Sequence, residues 1–158
     1  LFRSALPEIR AHLGELKLVV AGEFWEPKGP YLEVIEELEI ADSVVIEDRY
    51  IPNEEVAIYF SAADVLVAPY RRATGSGAVK LALGCGCPVI ATSIGGLEDI
   101  IDDETTGLLT SPSDPADLAT AVVRYFTEGR CLLSNGWMNH SDDASSWSAL
   151  LEVIESVS

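Results

Sequence analysis

Basic residues are scarce in this chain: 10 lysines and arginines stand against 26 aspartates and glutamates, for a formal charge of −16, and Lys17, Lys28 and Lys80 are the only lysines. So acidic a surface repels nucleic acid and anionic lipid, which argues against partners held through phosphate backbones or charged headgroups. The bias fits a high-salt habitat and an ordinary acidic domain equally well. Cysteine is also rare. Cys85, Cys87 and Cys131 are odd in number, and the first two lie one residue apart in an apolar stretch with no histidine nearby. Neither a disulfide framework nor a zinc site is expected, and a reducing cytoplasm is. The two histidines, His12 and His140, form no metal or catalytic pattern. Apolar stretches such as Leu18–Ala21 and Val65–Ala68 fall far short of the ~20 residues a membrane helix needs, and no signal peptide is visible. A Ser-His-Asp order, a Walker phosphate loop and an Asp-x-Asp metal motif are all missing.

What remains is a chain of 158 residues, 48% hydrophobic, enough for one domain with a substantial core. It opens on Leu1 rather than Met, which reads as a piece of something longer. Short aliphatic runs at Leu16–Ala21, Ser43–Ile46, Val65–Ala68, Val89–Thr92 and Gly107–Leu109 are bounded by Gly, Pro, Asp or Ser and predict buried strands. Helical patterns cover Phe2–Leu13, Tyr31–Ile40, Asn53–Ser61, Gly77–Cys85, Leu97–Ile101 and Pro115–Phe126, the last capped by Asp114, with a closing helix at Ser146–Ser156. The segment Glu128–Ser145 reads as frayed helix and loop. Strands spaced roughly twenty residues apart leave room for crossover helices, so the expected fold is α/β: an open parallel sheet with helices on both faces, three layers in all. Trp25, Trp137 and Trp147 are expected to be packing residues.

In such sheets ligands bind beyond the carboxyl ends of the strands. The segments there include Gly22–Phe24, Glu47–Tyr50, Pro69–Arg72, Ser93–Gly96 and Thr110–Ser111. The stretch from Pro69 to Gly77, Pro-Tyr-Arg-Arg-Ala-Thr-Gly-Ser-Gly, runs straight into a helix. Unpaired amides at a helix amino terminus, with glycines that admit close approach, can hold an anion. Thr74 and Ser76 offer hydroxyls to that anion, or one of them caps the helix. Arg71 and Arg72 form an adjacent basic pair in a very acidic chain; an anionic ligand or nearby carboxylates would explain them equally. Arg49, beside Tyr50 and Ile51, carries the same ambiguity and is placed to line a pocket for a base, while Lys80 reads as a solvated face.

From Leu16 to Glu128 the order of features resembles the carboxyl-terminal domain of the family 4, or group 1, glycosyltransferases, which have the two-domain GT-B architecture. Ala62-Ala63-Asp64-Val65-Leu66-Val67-Ala68-Pro69-Tyr70 is similar to that family's strand before the donor loop. Gly86-Cys87-Pro88 through Gly95-Gly96-Leu97-Glu98 to Ile101, followed by Thr106–Leu109, is similar to its next two βα units, and Trp147 resembles its closing segment. The resemblance implies that residues 1–158 are a Rossmann-like domain binding a nucleoside diphosphate sugar, with no cofactor and no metal. It sets the base near Arg49, Tyr50 and Ile51, and the diphosphate on the Thr74, Gly75, Ser76, Gly77 and Ala78 backbone near Arg71 and Arg72. Transfer would retain the anomeric configuration. A glycan or lipid-linked acceptor would come from an amino-terminal domain, and membrane contact of the full-length protein stays open.

Two departures matter. Many members carry a pair of glutamates around the donor loop, and the matching positions here are Ala73 and Leu81. The family's first strand of this domain, with a basic pair that contacts the diphosphate, should precede Phe2, so turnover by this fragment alone is not expected. Three readings therefore stand: a glycosyltransferase donor domain, a non-catalytic scaffold or regulatory module of the same fold, and a nucleotide-sugar epimerase. The last would require ionisable groups at the cleft, and few candidates are visible.

Overall fold

A computed structural model describes residues 2–102 and 104–129. The expected closing helix Ser146–Ser156 and the segment beyond Gly129, with Cys131, Trp137, His140 and Trp147, lie outside the described residues. Along the chain run α1 (Phe2–Leu13), β1 (Leu18–Ala21), α2 (Gly29–Glu37), β2 (Val44–Glu47), α3 (Asn53–Ala62), β3 (Leu66–Ala68), α4 (Gly77–Gly84), β4 (Val89–Thr92), β5 (Gly107–Thr110) and α5 (Pro115–Arg124). A π-helical turn at Tyr125–Gly129 prolongs α5.

The central strand shows why both faces must be covered. Ile90 faces one apolar cluster, with Ala5 and Ile9 of α1 and Leu118, Ala119 and Val122 of α5. Its neighbours Val89 and Ala91 face another, with Val79 and Ala82 of α4, Leu97 and Ile101. Successive side chains of a strand point to opposite faces, so this division puts β4 in the middle layer of three. Complete burial of a side chain such as Ile9, Ile90 or Leu118 contributes about 2 kcal/mol. Asp114 caps α5 as expected, its Oδ1 accepting from the Ala116 and Asp117 amides at 3.0 and 3.1 Å, with Pro115 in the first turn.

The five strands are where the sequence pattern sets them, to within two residues, and all the pairings are parallel. They form two hydrogen-bonded sheets rather than one, β1-β2 and β3-β4-β5. Among the described residues β1 and β3 each keep one edge without a ladder partner. The open edge shows in the exposure of β1, where Val20 is 36% exposed while every residue of β4 is buried. Three further expectations need correction. The helix expected at Leu97–Ile101 is a single 3-10 turn at Gly95–Leu97 followed by a hydrogen-bonded turn in which the Ile100 and Ile101 amides donate to the Leu97 carbonyl, because two glycines at its start give little helix propensity. The helix expected at Tyr31–Ile40 begins at Gly29 and ends at Glu37; Glu39 takes a left-handed φ of 52°, and the Ile40 amide turns back to the Ile35 carbonyl at 3.1 Å, burying Ile40. Trp25 is no packing residue: it is 93% exposed. Its loop is pinned instead through its neighbours, with the Phe24 amide donating to Asp48 at 3.0 Å, Lys28 paired with Asp48 at 2.6 Å, and Phe24 edge-on to Tyr31. No described helix is long and apolar enough to cross a membrane.

Candidate functional site

The loop between β3 and α4 is built from three polar ties. Tyr70 Oη and Ser76 Oγ share a hydrogen bond of 3.0 Å, closing the loop across its mouth. Ser76 is the N-cap of α4, its Oγ accepting from the Val79 amide at 3.2 Å. Beneath them the buried Thr92 hydroxyl, at the end of β4, donates to the Tyr70 carbonyl at 2.6 Å. Of the two roles open to Ser76, capping is therefore realised. That leaves the first helical amides, of Gly77 and Ala78, with no acceptor inside the helix.

Above the loop opens a cavity of about 690 Å³, lined by Tyr70, Arg72, Ala73, Thr74, Gly75, Ser76, Ile94 and Gly95. Its size falls in the range of small-molecule sites. Of the residues singled out from sequence, Arg72, Thr74, Gly75 and Ser76 thus come together. Arg71, Gly77 and Ala78 adjoin that wall without lining it, and Arg49, Tyr50 and Ile51 lie outside the lining. Arg71 and Arg72 are exposed, and among the described residues neither is in an ion pair.

Arg49 behaves differently. Its Nε meets Glu47 at 2.8 Å, its Nη2 meets Glu55 at 2.5 Å, and the Tyr59 hydroxyl lies 3.4 Å away. The Glu55 hydrogen bond, ahead of the one to Glu47, raises the guanidinium pKa further above its already high ordinary value. Burial raises that of Tyr59. The balancing of nearby carboxylates is the role the geometry realises for Arg49, and Tyr50 is what this loop exposes, at 64%.

Sequence reasoning set Ser93–Gly96 beyond a strand end but did not choose Ile94 or Gly95, nor Tyr70 or Ala73, as site residues, and it passed over Thr92 as a support. The signal for Ile94 and Gly95 was the glycine pair a few residues beyond a fully buried strand.

A family model described as glycosyl transferases group 1 matches residues 1–128. The chain belongs to the group 1 glycosyltransferases. Among curated relatives, this group 1 domain is 37% identical over 127 residues to a D-inositol 3-phosphate glycosyltransferase of Geodermatophilus obscurus, covering 77% of the chain and 28% of the relative. It is 35% identical over 137 residues to a GDP-mannose-dependent alpha-(1-6)-phosphatidylinositol monomannoside mannosyltransferase of Mycolicibacterium smegmatis, covering 80% and 34%. The chain thus spans about a third of the length of such relatives. Among solved structures, the sucrose-phosphate synthase of Thermosynechococcus elongatus superposes with a TM-score of 0.69 at 28% identity, covering 99% of this chain and 43% of that one. The Anabaena protein HepE, solved with UDP-glucose, gives the same TM-score at 17% identity, over 99% and 43%; at that identity the likeness is one of fold. Ala73 and Leu81, which the sequence resemblance sets at the positions of the family's glutamates, lie in the cavity wall and, 49% exposed, on α4.

Proposed function

We propose that this chain is the donor-binding half of a glycosyltransferase that takes a nucleoside diphosphate sugar, as the name of the GDP-mannose-dependent relative also suggests. The observation that carries this is the cavity at the amino end of α4, walled by Thr74, Gly75, Ser76 and an unpaired Arg72 in a chain of net charge −16. The diphosphate lies against the Thr74–Ala78 backbone, where free amides and the helix dipole favour negative charge, with Arg71 and Arg72 beside it. The same groups stabilise the leaving diphosphate without a metal. The base packs on Tyr50 and Ile51, with Arg49 bracing that loop from behind. Transfer proceeds with retention to a glycan or lipid-linked acceptor held by an amino-terminal domain of the longer protein. A strand of that protein preceding α1 runs between β1 and β3; the unpaired edge on each supports this reading.

The absence of glutamate at Ala73 and Leu81 favours one rival, a non-catalytic module that binds the nucleotide sugar without turnover. Titration of the ¹⁵N-labelled chain with UDP, GDP, ADP and their sugar conjugates tests the binding claim shared by both. Amide shifts concentrated at Arg49–Ile51 and Thr74–Ala78 are expected. Gly75 and Gly77 face open space, so a bulky residue at either leaves the circular dichroism spectrum unchanged while abolishing those shifts. Retained nucleotide binding in both variants would sink the assignment of this loop, and turnover by the longer protein would separate enzyme from module.

A further inference from the structure

The loop after β4 holds two consecutive glycines that lie against the β3–α4 loop. Gly95 takes a left-handed φ of 54°, and a Cβ built on it would sit on the Ala73 carbonyl oxygen, well inside the 3.0 Å that real Cβ atoms essentially never breach. A Cβ on Gly96 would meet the next carbonyl, that of Thr74, at 3.3 Å, which is tight but can be relieved by a few tenths of an ångström. Two consecutive peptide units of the cavity wall therefore rest backbone to backbone on two consecutive glycines. Nothing comparable supports Gly75 or Gly77, whose missing side chains face open space.

We infer that Gly95 and Gly96 are positioning residues: they form a cradle that sets the depth of the Ala73–Ser76 wall, and through it the reach of the nucleotide-binding amides. The inference rests on the proposed nucleotide site but makes a separate claim, that the wall is placed from below. The loop is held in three places: the Thr92 bond holds it at Tyr70, the Ser76 cap and its bond to Tyr70 hold it at the start of α4, and Ala73 and Thr74 between them lie on the cradle. A side chain at Gly95 forces the Ala73 carbonyl upward, into the cavity that Ala73 and Gly95 line together. Because amide-to-phosphate hydrogen bonds weaken steeply with distance and angle, a shift of about an ångström costs most of the binding.

The test uses the chain itself and two readouts. Amide shifts of Ala73–Ser76 in the ligand-free protein report the wall, and titration with UDP and GDP reports affinity. Gly95→Ala combines the clash with an unfavourable φ, whereas Gly95→Asn keeps the clash and tolerates the left-handed backbone. The cradle predicts that both displace the Ala73–Ser76 amides, leave those of β5 and α5 in place, and weaken nucleotide binding at least tenfold. Gly96→Ala should produce a smaller displacement centred on Thr74 and a loss of threefold or less. Gly75→Ala should leave the ligand-free amides of Ala73 and Thr74 unmoved. Wild-type behaviour of Gly95→Asn, or a Gly96→Ala spectrum unchanged at Thr74, overturns the inference. Should Gly95→Ala fail to fold, Gly96→Ala decides by the same shifts. Should neither this chain nor the longer protein bind nucleotide, the proposed function fails, while the ligand-free shifts still judge the cradle.

Discussion

Replacing Thr92 by valine removes one hydroxyl and almost nothing else, so it weighs a single tie between β4 and the cavity wall. The residue is 1% exposed and donates to the Tyr70 carbonyl at 2.6 Å. Valine keeps the branched shape that suits a strand, so no cavity opens. A carbonyl that loses its partner away from water costs about 1–3 kcal/mol, and the new methyl returns a fraction of that. The expected loss is about 2 kcal/mol, which for a domain of this size lowers Tm by roughly 4–8 °C. Thr110→Val supplies the internal comparison. It too is buried, at 2%, but its hydroxyl reaches the Ala91 carbonyl at only 3.3 Å, so a loss under about 1 kcal/mol is expected. Urea titrations of the three proteins, with their slopes compared to check that the unfolding transition is unchanged, measure both values. Equal stability of the two variants, or a Thr92→Val protein as stable as the wild type, would refute the claim that the bond to Tyr70 anchors the loop.

Two further predictions concern groups away from the cavity. Burial pushes the Cys87 thiol up to about 12, whereas Cys85 is exposed. Iodoacetamide at pH 8 should modify Cys85 in the native protein and Cys87 only after denaturation, as fragment-ion mapping will show; native labelling of Cys87 would contradict its burial. The Asp48 carboxyl is held below its ordinary value of 3.8, first by the hydrogen bond from Lys28 and then by that from the Phe24 amide. A depressed folded-state value means that the contribution is complete above 3.8 and is lost as pH falls through the lower folded value. Asp48→Asn should therefore melt below the wild type at pH 7, with the gap closing on acidification below 3.8 and narrowing in high salt. A gap that does not depend on pH would show that the pair does not carry this stability.

Strands and loops differed sharply in how legible they were. Runs such as Val89–Thr92 are buried on both faces, and burial demands unbroken apolar character that shows directly in the residue types. The interruption between β1 and β3 had no such mark. Leu18–Ala21 is as apolar as β4, and only its neighbours decide that one edge lacks a ladder partner among the described residues. The end of α2 was equally hidden: Ile40 continues the apolar spacing, but a left-handed Glu39 turns it into the core instead. At the candidate site, glycines and hydroxyls pointed to the loop that walls the cavity, because such residues directly ahead of a helix are chemically distinctive. Their division of labour was not visible, since Ser76 Oγ can cap a helix or meet an anion with the same atoms. Arg49 shows the converse. Its chemistry suggested a ligand, and only the folded arrangement brings Glu55, from the next helix, within 2.5 Å to occupy it.

The loss of the family's glutamates at Ala73 and Leu81 has a physical reading once the cradle is considered. Ala73 meets the rest of the fold through its carbonyl, which lies against Gly95, and through a partly buried methyl group packed at the edge of the apolar cluster of Val79, Ala82 and Leu97. Ser76 holds the helix start, and Tyr70 and Thr92 hold the loop's beginning; none of these ties uses the side chain at position 73 or 81. The polar ties of the wall and its rest on Gly95 are therefore independent of the side chains at positions 73 and 81. A site that grips phosphate through backbone amides survives such changes, because amides are supplied by every residue at these positions and only their placement matters. Under the proposed function the ribose and the sugar would be held by side chains, and there the difference is expected to tell. Ala73→Glu, which also replaces a methyl group packed on that cluster, should shift the amides next to it but leave those of Ser76–Val79 near their wild-type positions and the affinity for the bare nucleoside diphosphate little changed, while altering the affinity for its sugar conjugates. A large loss of nucleoside diphosphate binding would show instead that the side chain at 73 governs the phosphate site, and that the backbone is not its principal determinant.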